Sequence, residues 1–133
     1  MLPVDWQTVR LSLHVLAATV WVGGQLTLAG LVPGVRAISP DAPRAVARRF
    51  SRIAWPAYAT LVVTGIWNIA AVHPAWSGEY GTTLVVKIGV VALSGISAWA
   101  HAVSRTRAGL AVWGAVTAVS AVTALFLGVL LAG

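Results

Sequence analysis

The sequence predicts an all-α integral membrane protein, a four-helix bundle with both termini on the outer side. Three observations predict it. The 133 residues are 59% hydrophobic and only 9% charged, with a mean hydropathy of +0.87, well above soluble usage. The apolar residues gather into four runs, 8–32, 50–72, 82–103 and 109–132, each long enough to cross a hydrocarbon core of about 30 Å as a helix. The basic residues are placed unevenly. Arg36, Arg44, Arg48 and Arg49 lie between the first two runs, with Arg52 at the very start of the second, and Arg105 and Arg107 lie between the last two, whereas the middle loop HPAWSGEYG has none. By the positive-inside rule the arginine-bearing loops are cytoplasmic, and the termini and middle loop face outward. Arg10, at the outer end of the first span, is the exception.

The first run reads as a retained span, being too long for a secretory signal and lacking a basic leader. Pro33 and Gly34 are expected to end it, and Ser39-Pro40-Asp41-Ala42-Pro43 to form a turn. Arg44 to Arg52 then form a basic helical extension of the second span, with arginines reaching to the headgroups. Pro56 falls early in that span, where a modest kink is its expected effect. A compact turn at residues 73–78 leads into the third span. Trp6, Trp76 and Tyr80 belong to an outer aromatic belt. Glycines in every span permit close helix approach. Little sequence lies outside the spans, so residues 1–133 are read as a single four-span membrane domain.

Composition also excludes chemistry. There is no cysteine, so disulfides and thiolate metal sites are ruled out, and Met1 is the only methionine. The net charge of +6 is accounted for by topology and anionic lipid, not by nucleic acid. Walker, Rossmann and zinc-protease motifs and a nucleophile elbow are all absent.

The polar residues inside the spans carry what function the sequence reveals, because each is costly in lipid. His14 lies about 9 Å into the first span at 1.5 Å per residue. Lys87 enters the third span to a similar depth, and Asn68 with Thr64, one turn apart, reaches the same outer level on the second. These residues are expected to form a polar cluster in the outer part of the bundle. His14, Ala18, Trp21 and Gln25 follow one helical stripe, and Lys87, Ser94 and His101 another. His101 belongs near the cytoplasmic surface. Trp21 reads as a packing ring, and Gln25 and Asn68 as interhelical hydrogen-bonders. A buried imidazole suits a metal ligand, a haem axial ligand with Lys87 or His73 as the second, or a proton relay.

LHVLAATVWVGG (13–24), RFSRIAWPAYATLVVTGIWN (49–68) and YGTTLVVKIGVVALSG (80–95) resemble, in that order, the membrane domain of CopD-type copper resistance and transport proteins. His14, Trp21, Gly23, Gly24, Phe50, Ser51, Arg52, Thr64, Gly65, Asn68, Tyr80, Gly81 and Lys87 occupy the motif positions. The resemblance implies copper handling, by binding or transport, in the cytoplasmic (inner) membrane of a bacterium. His14 is then the metal ligand, with Trp21, Thr64, Asn68 and Lys87 in support. A looser resemblance is to HemJ, a four-helix haem-type oxidoreductase; it implies haem b, with His14 as axial ligand and Lys87 as second ligand or propionate partner. His101 falls near a further histidine of that family. A third reading is a small subunit packing against other membrane proteins or against copies of itself. An enzymatic role is expected only under the haem reading.

Overall fold

The computed structural model describes residues 1–133; its regular structure is entirely helical, with no strand. Four are long and apolar enough to cross a membrane: α1, Trp6–Ile38; α2, Ala42–Val72; α3, Gly78–Val103; and α4, Arg107–Ala132. The chain divides into two units, Met1–His73 with α1 and α2, and Pro74–Gly133 with α3 and α4.

The first helix starts where Asp5 caps it, its Oδ1 accepting from the Thr8 backbone N–H at 2.7 Å, as an N-cap carboxylate does. Two features of α1 differ from the sequence expectation. A π-helical turn, Thr19–Gly23, interrupts it between α-helical Trp6–Ala18 and Gly24–Ile38. The wider turn inserts a residue into the 3.6 repeat, yet none of His14, Ala18, Trp21 and Gln25 is exposed, and Ala17 and Val22 are buried beside them. In addition, Pro33 does not end the span, for the helix continues to Ile38. Proline removes one N–H and leaves the carbonyl of Ala29 without its helical donor, a local loss that membrane helices tolerate. The stop comes at Ser39, whose backbone is extended.

Helix α2 opens with Pro43 in its first turn, carries the basic stretch Arg44–Arg52 as a helical extension as expected, and passes through Pro56 without breaking. It ends at His73, which adopts left-handed backbone (φ 48°) while its N–H bonds the Ile69 carbonyl at 3.0 Å. Pro74 follows and cannot continue a helix. The contacts of the first unit set α1 against α2 antiparallel: Thr64 meets His14, Tyr58 and Trp55 meet Trp21, and Phe50 occupies the space a side chain at Gly24 would need. Trp21 is 4% exposed, with its ring centroid 4.6 Å from that of Tyr58 and 5.7 Å from that of Trp55, within the range of favourable aromatic pairs.

In the second unit the start of α3 lies tight against its own preceding loop. A Cβ at Gly81 would run into the backbone of Trp76, so only glycine fits there. Helix α4 is capped by Thr106, whose hydroxyl accepts from the Gly109 N–H at 3.0 Å. Small residues are buried on both helices: Ser94, Gly95 and Ser97 on α3, Thr117, Ser120 and Ala121 on α4. Thr117 Oγ1 lies 3.0 Å from Ser97 Oγ across the pair. The deepest side chains in the protein are thus serines, with Ser97 at 0% exposure, while Leu125, Phe126 and Val129 remain open. That inversion suits lipid, where large apolar groups gain nothing by burial and small faces allow close packing.

Candidate functional site

The imidazole of His14 is fixed by the second helix. Its Nδ1 lies 2.8 Å from Thr64 Oγ1, and that hydroxyl in turn lies 2.6 Å from the Thr60 carbonyl oxygen, with the Leu61 carbonyl at 3.2 Å. A hydroxyl has one proton. Donating it to its own helix, Thr64 can only accept from the ring, so His14 Nδ1 carries the hydrogen. In the neutral ring the lone pair is then on Nε2, the protonation pattern of a metal-ligating histidine oriented by a hydrogen-bond acceptor behind it. Thr64 is only 3% exposed, which keeps that acceptor away from competing water. A Cβ at Gly65 would stand 3.7 Å from His14 Cε1, ordinary contact, so the chain at 64–65 both bonds and flanks the ring.

One turn beyond Thr64 on α2, Asn68 presents a buried Oδ1 with no hydrogen-bond partner. One turn before His14 on α1, Arg10 is 8% exposed, and its Nε is likewise buried and unpartnered. The charge pattern alone marks Arg10 only as an exception to the topology rule. The signal was present nonetheless, since Arg10 and His14 are i and i+4 on one helix face.

The second unit holds the other expected residues. Lys87 lies over Gly128, its Nζ 3.1 Å from where a Cβ there would be. Ser94 is 1% exposed, and His101 Nδ1 lies 2.9 Å from the Leu110 carbonyl oxygen, which can only accept. The ring also stands 3.2 Å from the Cβ position of Gly114. The stripe Lys87, Ser94, His101 therefore faces α4 throughout. Ser97, Thr117 and Ser120 join its middle section; they were not singled out from sequence, because hydroxyls bonded to their own helix's carbonyls leave no signature beyond the i, i+3 spacing. His73 is exposed at the end of α2. No three His, Cys, Asp or Glu side chains converge anywhere. His14 is therefore not part of a ready-made set of three such ligands.

Comparison with known families decides what class of protein carries this arrangement. The family model CopD, copper resistance protein D, matches residues 44–133, two thirds of the chain. The chain belongs to that family. No curated protein and no solved structure matches it significantly. Within this CopD-family chain the matched region takes in all the spans after α1, and with them Thr64, Gly65, Asn68, Gly81 and Lys87. His14 and Trp21 lie before it. The family assignment thus covers the residue that orients the imidazole, and the case for the imidazole itself comes from the geometry above.

Proposed function

We propose that this copper resistance membrane protein binds copper at His14 Nε2 and passes it across the cytoplasmic (inner) membrane of a bacterium. Copper is here the substrate. The observation that supports the reading is the Thr64 hydroxyl, which accepts from Nδ1 and leaves the ring's lone pair on Nε2, one of the two forms in which imidazole binds a metal. Imidazole is a suitable copper ligand, and without cysteine or internal methionine in the chain no softer donor competes. The thin donor set agrees with transit better than with storage, because an ion that moves through must bind weakly enough to leave. Asn68, one turn beyond Thr64 on the same helix, contributes to the polar surroundings of the ring, and the termini face outward, as the placement of arginines directs.

The test is copper flux into proteoliposomes. Protein with His14→Ala is expected to give the flux of empty vesicles, and His101→Ala to retain that of the unsubstituted protein. Equal flux with and without His14 would remove it from the path.

A further inference from the structure

Arg10, on α1 of the first unit, is a cation with an unpartnered nitrogen. It is 8% exposed, and its Nε is fully buried and unbonded. The acids of that unit are Asp5 and Asp41. Asp5 is engaged as the cap of α1, accepting from the N–H and hydroxyl of Thr8, and Asp41 stands at the start of α2, the opposite end of the antiparallel pair from Arg10. A guanidinium buried at its Nε with no counter-charge beside it is a costly arrangement, and more so in a bilayer.

Its position is specific. His14 and Thr64 are bonded across the pair. Arg10 is four residues before the one, and Asn68 four residues after the other. Because the helices are antiparallel, both steps lead toward the same end, about 6 Å from the His14 level at 1.5 Å per residue. This level therefore holds a buried donor, Arg10 Nε, and a buried acceptor, Asn68 Oδ1, each without a partner. Unsatisfied polar atoms are rare in native interiors, and two at one level call for a common explanation.

We propose that Arg10, with Asn68, holds an anionic oxygen group, a phosphate or a carboxylate, one helical turn from His14. The guanidinium donates to the anion through Nε and a terminal nitrogen, in the forked geometry that suits both groups, and Asn68 Oδ1 accepts from a protonated oxygen or amine of the same ligand. Two sources fit this chemistry: the phosphate of a membrane lipid, or the carboxylate of a small chelator that delivers copper to His14. The second source rests on the copper reading; the anion site does not.

The experiment uses the full chain, purified in a neutral maltoside detergent. Its melting temperature is followed against sodium phosphate, sodium citrate and sodium chloride at equal ionic strength, and co-purified phospholipid is measured by mass spectrometry. A free-anion site gives a rise in melting temperature with the logarithm of phosphate or citrate concentration, absent in chloride and lost in Arg10→Gln. A lipid site gives phospholipid retained in stoichiometric amount and lost in the same variant. Arg10→Lys, which keeps the charge without the fork, is expected to weaken either response. If the unsubstituted protein shows neither an anion-specific rise nor retained lipid, or if Arg10→Gln responds as it does, the inference is overturned; the unsubstituted protein alone decides should the glutamine variant not fold. Copper binding without anion binding would sink this inference and leave the copper reading standing, and the reverse result would do the opposite.

Discussion

His14 Nδ1 and Thr64 Oγ1 lie 2.8 Å apart, joining α1 to α2 across fifty residues of chain. Because the threonine proton is committed to Thr60, the pair sets which imidazole nitrogen can meet a metal. Thr64→Val keeps the shape and removes the acceptor. Loss of a group that orients a ligand commonly costs about 10- to 100-fold in metal affinity, and that is the drop expected for Cu(I) in competition with a chromophoric chelator. Thr64→Ser should stay near the unsubstituted value. A valine variant that titrates unchanged would show that the hydroxyl does not orient the ring.

Gly81 is the tightest backbone approach in the second unit, since any Cβ meets the Trp76 main chain. Gly81→Ala should destabilise the protein by about 1–3 kcal/mol, the range for forced overpacking. At Gly89 nothing stands within 4 Å of a new Cβ, so Gly89→Ala is the matched control and should be neutral or slightly stabilising. Thermal unfolding in detergent distinguishes them.

The Ser97 and Thr117 hydroxyl oxygens lie 3.0 Å apart across the pair, and each hydroxyl also reaches a carbonyl of its own helix, so the single Thr117 proton is shared between the Trp113 carbonyl and Ser97. Thr117→Val should therefore cost only about 0.6 kcal/mol, the average for such bonds in membranes. Ser97 is 0% exposed and has no room to grow. Ser97→Leu should cost more than Thr117→Val and weaken the packing of α3 on α4, read as a lower melting temperature for the leucine variant.

The Asp5 carboxyl is held below its ordinary value of 3.8, chiefly because the Thr8 backbone N–H donates to it. A depressed folded value means that the cap is fully present above the ordinary value and is lost as pH falls through the depressed one. Hydrogen exchange at the first-turn amides of α1 should therefore accelerate, beyond its intrinsic pH dependence, as the solution is acidified below that range. In Asp5→Asn the acceptor persists without titrating, and the acid-induced change should vanish.

The four spans were legible because each is a long apolar run, and periodicity correctly set Lys87, Ser94 and His101 on one face. The π turn at Thr19–Gly23 was not legible, since nothing in TVWVG distinguishes a five-residue turn from a four-residue one. Pro33 misled because its cost in water is larger than in a helix that lipid compels to stay bonded. His14 was found as an anomaly in an apolar run, and Thr64 only as a neighbour in depth; the tautomer required the distances. Arg10 was visible as a charge but not as a buried one, because burial depends on which face α2 covers.

The most direct measurement is the copper retained by purified protein after anaerobic Cu(I) loading and desalting, with His14→Ala beside His73→Ala and His101→Ala. Stoichiometric copper in the unsubstituted protein and in the His73 and His101 variants, with loss in His14→Ala alone, is the predicted result. Copper retained undiminished by His14→Ala would contradict it.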